Sequence, residues 1–181
     1  FKTVSAALAL RPDRRRIVTE TRNFPTDNYI AEGVIRQCGG RHELVHAADA
    51  DAVIDCLDAD TAVLMLSHVN YRDGAVHDMA GLTRVAHEAG ALVIWDLAHS
   101  AGVLPLDLAG CDVDFAVGCG YKVLNGGPGA PAFLYAAERH HGGFAQPLSG
   151  WFGHADPFGF DPHYRPAGDI TQYLCGTCLL Y

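Results

Sequence analysis

Lysine is scarce in this chain of 181 residues, which carries only Lys2 and Lys122 against eleven arginines. Lys122 ends the stretch Phe115-Ala-Val-Gly-Cys-Gly-Tyr-Lys122, an apolar run that closes in glycines and a nucleophilic amine. A second apolar run, Ala91-Leu-Val-Ile-Trp95, ends in Asp96. An amine and a carboxylate at the tips of successive buried strands suggest a pyridoxal phosphate (PLP) site, although Asp and Lys at strand ends are also ordinary loop residues. The lysine forms the Schiff base and the acid keeps the pyridinium nitrogen protonated. Ser67, after the apolar run Ala62–Leu66, is a third polar group at a strand tip. Ligands of open α/β sheets bind beyond the carboxyl ends of the strands, so the three tips read as one constellation. His99 is placed to brace Asp96 or a bound ring, and Tyr121 to donate to a phosphate or act as an acid. Plainer roles exist for each: Ser67 as a strand-end hydrogen bonder, His99 as a structural histidine. Gly126-Gly127-Pro128-Gly129 either admits a bulky ligand close to the backbone or simply turns the chain before the next strand.

The elements that must position these groups alternate along the chain. Residues 1–10 read as a helix already under way, and Arg16–Glu20 as a strand. A helix from Asp27 to Cys38 stops at Gly39-Gly40. A strand over His42–His46 precedes a helix through Val53, Ile54 and Leu57. Asp78 is expected to cap a helix whose inner face is Met79, Leu82, Val85 and Ala86, closed by Gly90. Ala62–Leu66, Ala91–Trp95, Phe115–Val117 and Ala132–Tyr135 complete the strands. Continuous apolar strands between amphipathic helices predict an α/β fold, a mostly parallel sheet flanked by helices. Residues 143–181 are rich in Gly, Pro and aromatics without a period, and read as a loop-rich segment of the same domain.

Composition narrows the function. Hydrophobic residues make up 49% and charged residues 19%, ordinary for a globular core. A net charge of -8, with Arg14-Arg15-Arg16 the longest basic cluster, argues against nucleic acid. No apolar run is long enough for a membrane span. Six scattered cysteines fit reduced thiols, so the cytoplasm is the expected compartment. Cys175-Gly-Thr-Cys178 has half-site spacing but no matching second pair, and no metal is expected. His140-His141 lies in a polar turn and is expected to be solvated. No G-x-S-x-G elbow supports a serine nucleophile.

Five segments in order carry a more specific signal: Asn23-Phe-Pro-Thr-Asp27, Leu66-Ser-His-Val-Asn-Tyr-Arg72, Trp95-Asp-Leu-Ala-His-Ser100, Gly120-Tyr-Lys-Val-Leu-Asn-Gly-Gly-Pro-Gly129 and Gln146-Pro-Leu-Ser-Gly-Trp-Phe-Gly-His154. Together they resemble the kynureninases, PLP enzymes of the aspartate-aminotransferase fold type (fold type I). The resemblance implies hydrolytic cleavage of L-kynurenine, and possibly of its 3-hydroxy form, to anthranilate and L-alanine. It places the enzyme in tryptophan catabolism and NAD biosynthesis, and implies a homodimer. Residues 1–181 would then be the PLP-binding large domain, truncated at both ends. Lys122 matches the lysine that holds PLP, Asp96 the carboxylate on the ring nitrogen and His99 its neighbour. Phe24 matches the aromatic stacked on the ring, with Asp27, Pro25 and Thr26 of the same segment lining the site. Ser67 and Tyr121 match further contacts, Tyr121 at the phosphate; a phenol beside a phosphate and a lysine can have its pKa lowered, which makes Tyr121 the candidate proton shuttle. Trp151 and Thr177 match positions that reach a phosphate across the dimer interface.

The chain departs from the family pattern in places. Val123 stands where an aromatic often follows the lysine, and Asp73 replaces a small hydroxyl residue in the Asn-Tyr-Arg-x-Gly turn. The phosphate loop expected before residue 1 and the arginine expected to clamp the substrate carboxylate are not in the sequence, so the isolated chain is expected to be inactive. Two rival readings follow. One is a cysteine desulfurase-like lyase, although such enzymes usually carry His before the lysine, where Tyr121 stands. The other is a non-catalytic remnant of the PLP domain.

Overall fold

The computed structural model describes residues 1–176, so Thr177 and the residues after it lie outside the described part. Six strands form one sheet in the order β2-β1-β3-β4-β5-β6. They are β1 (Arg16–Glu20), β2 (Glu43–Ala47), β3 (Thr61–Ser67), β4 (Leu92–Asp96), β5 (Phe115–Cys119) and β6 (Ala132–Ala136). The first five run parallel, and β6 returns antiparallel beside β5. Gly120–Pro131 contains no helix to carry the chain back across the sheet, so β6 can only reverse. The expected mostly parallel sheet is therefore correct, with an antiparallel edge.

Four helices cover it: α1 (Lys2–Ala9), α2 (Pro25–Gln37), α3 (Ala50–Cys56) and α4 (Met79–Glu88). Successive strand side chains point to opposite faces, which divides the core in two. On one face Ile17, Val63, Met65, Ile94 and Phe115 pack against Val4, Ala7 and Leu8 of α1 and Ala31 and Val34 of α2. On the other, Val18, Leu64, Leu66, Val93 and Trp95 meet Val53 of α3 and Met79, Leu82 and Ala86 of α4. Every residue of β3 is buried, as a strand covered on both faces requires. α4 starts as expected, with the Asp78 carboxylate accepting from the Gly81 amide at 3.0 Å. Its inner face includes Thr83 where Val85 was expected, because the Thr83 hydroxyl accepts the indole N–H of Trp95 at 3.1 Å.

Several boundaries differ from the sequence reading. α2 begins at Pro25, two residues early, because proline presets the helical φ at the first helical position. β2 is shifted by one residue, and β5 extends to Cys119. From residue 143 to 176 the described chain is loop with two short 3₁₀ turns, Trp151–Gly153 and Ile170–Tyr173.

His140 corrects the expectation of a solvated pair. It is buried, stacked on Phe115, and its Nε2 lies 2.7 Å from Asp114. Asp114, only 1% exposed, also contacts His87 Nε2 at 2.8 Å and accepts from Arg139 Nη2 at 2.7 Å and the Val93 amide at 2.8 Å. One carboxylate thus ties α4, β4, β5 and the turn after β6 at the end of the sheet away from Asp96. Burial opposes its charge, but His140, His87, Val93 and Arg139 together hold it far below the usual carboxylate range. Its folded value is depressed, so its stabilisation is present above the unfolded value of 3.8 and lost as pH falls below it. Asp114→Ala should cost about 3 kcal/mol in urea unfolding at neutral pH, having stripped two imidazoles and a guanidinium of their partner. Asp114→Asn should flatten the loss of stability below pH 3.8. An unchanged acid limb in Asp114→Asn would mean that other carboxylates govern it.

Candidate active site

Parallel pairing sets Ser67 opposite Asp96 and Asp96 opposite Val117, so the polar ends of β3 and β4 meet at one edge. The Ser67 hydroxyl lies 3.4 Å from Asp96 Oδ2, and the Ala98 amide donates to Oδ1 at 2.9 Å. Backbone bonds lock the same tips, from the His68 amide to Asp96 O at 2.9 Å and from the Leu97 amide to Val117 O at 2.7 Å. Asn23 joins them: its buried Oδ1 accepts the Ser67 amide at 3.0 Å, and its Nδ2 reaches the Thr19 hydroxyl at 3.3 Å. The sequence reading quoted Asn23 within a motif but assigned it no role. A polar residue just before a helix cap gives no periodic sign that it is buried.

The first turn of α2 brings Phe24, Pro25, Thr26 and Asp27 to this edge. Thr26 is exposed and Pro25 half-buried, whereas Asp27 turns inward. A cavity of about 160 Å³ lies between α1, α2 and the sheet, lined by Asp27, Asp96, Met65, Ile94, Val117 and Thr3 among others. Asp27 Oδ2 is buried there without a hydrogen-bond partner. Burial and the nearby Asp96 push the Asp27 carboxyl up to about 7, against the opposing pull of Lys122 and the Phe1 amine. A carboxyl at that value is neutral below neutral pH and can donate a proton in a hydrogen bond.

Lys122 follows β5 in the turn that leads to β6. Its Nζ lies 3.1 Å from His99 Nε2 and 5.4 Å from the centre of the Phe24 ring, within cation–π reach. His99 therefore holds the lysine and does not brace Asp96, whose own partners are Ser67 and Ala98. Tyr121 is 54% exposed, with its ring centre 5.8 Å from Lys122 Nζ. The glycine cluster is a tight turn: the Gly126 amide bonds to Gly120 O at 2.8 Å, and a Cβ on Gly126 would sit 2.7 Å from Ala130 Cβ. Trp151 stands apart, stacked on Phe152 at 3.9 Å and on Phe160 at 6.2 Å in the C-terminal loops. Thr177 and Cys178 lie outside the described residues. Cys175 donates its thiol to Leu148 O at 3.1 Å.

These residues fit the pyridine end of PLP. A carboxylate for the ring nitrogen, an amine for the aldehyde and an aromatic face share one edge. The orphaned Asp27 oxygen marks a position that calls for a polar partner.

Comparison with known proteins defines the class first. Residues 40–150 match the aminotransferase class-V family, and the chain belongs to it. Within that family it is similar to the kynureninases. It is 51% identical over 98% of its length to the kynureninases of Burkholderia mallei and Pseudomonas fluorescens, and spans 44% of the length of each. Among solved structures it superposes on the cysteine desulfurase CsdA of Escherichia coli with a TM-score of 0.79 at 20% identity, covering 97% of this chain and 46% of that one. A lysine-to-alanine mutant of C-DES, with glycine covalently linked to its PLP cofactor, gives a TM-score of 0.74 at 21% identity, covering 98% and 49%. At that identity the likeness to both concerns the fold.

The two carboxyls and the amine make a titration the sharpest check of this geometry. Carboxyl-carbon NMR should show Asp27 titrating near pH 7. Asp96→Asn should lower that value by removing a like charge, and Lys122→Ala should raise it by removing an opposite one. An Asp27 that titrates near 4 and ignores both substitutions would contradict the burial and proximity described here.

Proposed function

We propose that this chain provides the lysine and the ring-binding half of a kynureninase site, for hydrolysis of L-kynurenine to anthranilate and L-alanine. The observation that carries this reading is Asp96, the unpartnered Asp27 carboxyl and Lys122 gathered at one sheet edge. The 51% identity to kynureninases supports the choice of substrate, and 3-hydroxykynurenine differs from kynurenine by one ring hydroxyl that the same site would have to admit. The cysteine desulfurase alternative rests on fold likeness at 20% identity, and it lacks the histidine expected before the lysine, where Tyr121 stands.

When bound, PLP supplies an electron sink that weakens bonds to the substrate α-carbon and then the bond between its β- and γ-carbons. Lys122 would supply the amine that anchors the cofactor, and the same amine would take the proton from the substrate α-carbon. His99 aims that amine by accepting its N–H. Asp96 keeps the proton on the ring nitrogen, backed by Ser67. Phe24 covers the ring and excludes water from one face. Water must add to the γ-carbonyl carbon, which leaves as the carboxylate of anthranilate, and Tyr121, beside the lysine, is the group we assign to hand a proton to the departing β-carbon.

The reading extends to assembly. Trp151, Phe158 and Phe160 form an exposed aromatic patch, which favours association. A homodimer in which Trp151 and Thr177 reach the partner's phosphate would use it. The five described cysteines are all free, which suits the cytoplasm.

Borohydride reduction in the presence of PLP, followed by peptide mapping, should label Lys122; label confined to Lys2 would overturn the assignment. A protein of the relatives' length that contains this chain should release fluorescent anthranilate from kynurenine. The 181 residues alone, 44% of that length, should not. Steady release by the short chain would show that the remainder is dispensable.

A further inference from the structure

Between β3 and α4 the chain folds back in a tight antiparallel turn, paired at Val69 and Val76. The Asn70 amide bonds to Ala75 O at 2.8 Å and the Gly74 amide to Asn70 O at 2.9 Å. This turn lies along residues 20–24, the segment that runs from the end of β1 to the cap of α2, and meets it repeatedly. At the base, His77 Nε2 is 2.7 Å from Glu20 Oε1, within ion-pair reach although not aligned as a hydrogen bond. Asn70 Nδ2 donates to Arg22 O at 3.2 Å. At the tip, Asp73 Oδ2 accepts from Arg22 Nη2 at 2.5 Å. Between them Tyr71 stands edge-on to Phe24, with ring centres 5.2 Å apart. Phe24 is the ring whose centre lies 5.4 Å from Lys122 Nζ.

The two carboxylate oxygens of Asp73 divide the work. Oδ1 accepts the Ala75 amide at 3.1 Å and shapes the turn, which a serine could also do. Oδ2 holds Arg22, which needs a charge. We propose that Asp73, through its ion pair with Arg22, is a positioning residue for the cofactor site. It pins the turn to residues 20–24, keeps Tyr71 against Phe24, and so fixes the ring that faces Lys122. The inference rests on the PLP reading above.

Both partners are partly exposed, 48% for Arg22 and 41% for Asp73. A pair of that kind shifts a local equilibrium by at most about five-fold, and salt screens it. The test uses a protein of the relatives' length containing this chain. Asp73→Ser should raise the PLP dissociation constant about two- to five-fold at low salt. It should also speed hydrogen exchange at the Asn70 and Gly74 amides. Both effects should vanish at about 1 M salt, where the screening length is near 3 Å. Arg22→Gln, which leaves the Asp73–Ala75 bond in place, should reproduce both effects at low salt, and the double variant Arg22→Gln with Asp73→Ser should be no worse than either single one. An unchanged dissociation constant in Asp73→Ser would overturn the proposal, whatever the exchange rates do. So would a change that persists at high salt or that Arg22→Gln does not reproduce. If the unsubstituted protein binds no PLP, the cofactor reading fails and takes this proposal with it. That failure is told apart from the others because exchange at Asn70 and Gly74, measured without cofactor, reads the clamp by itself.

Discussion

The parallel register of β3, β4 and β5 is the constraint on which everything else depends. Pairing Ser67 with Asp96 and Asp96 with Val117 brings three strand ends level, and the turn after β5 then delivers Lys122 to the same edge. The register is costly to alter. A slip of one residue would turn Trp95 and Leu66 out of one core and Asp96 away from its cavity. The two-faced core therefore protects the site: Trp95 is sealed under α4 while its neighbour Asp96 opens toward α1 and α2. The Asp114 anchor secures the opposite ends of β4 and β5, so these two strands are held at both ends.

Charge is distributed with the same division. At the anchored end, one carboxylate is fully satisfied by four donors and stays ionised. At the open end, Asp27 has an unmatched oxygen and shares its surroundings with Asp96. With respect to pH the two oppose each other. Asp114 withdraws stability as pH falls below 3.8, whereas Asp27, with its value raised to about 7, withdraws it as pH climbs toward that value. Incomplete satisfaction of this sort is tolerated where a ligand completes the network.

Much of this was legible from residue order. Continuous apolar runs mark the strands, and their polar ends mark Ser67, Asp96 and Lys122 as candidates. Legibility failed where long-range partners decide. A polar turn hides the burial of His140, which depends on Asp114, and sequence leaves His99 open between Asp96 and a bound ring because only the folded turn shows Lys122 beside it. The apolar period of α2 becomes readable only from Asp27, so it sets the start two residues later than the proline at the first helical position does. The direction of β6 depends on the lack of a crossover helix, which an apolar run cannot reveal. The perturbed Asp27 arises from its burial and from the placement of Asp96, and both depend on residues far away in sequence.

If the sheet edge is a PLP site organised by Asp96, the protonation of the ring nitrogen is its most direct consequence. PLP labelled with ¹⁵N in the ring, bound to a protein of the relatives' length, reports that proton in its nitrogen chemical shift. The expected result is a pyridinium signal in the unsubstituted protein and a neutral pyridine signal in Asp96→Asn. A pyridinium in both would contradict the central role of Asp96 and transfer it to another acid, with Asp27 the nearest candidate.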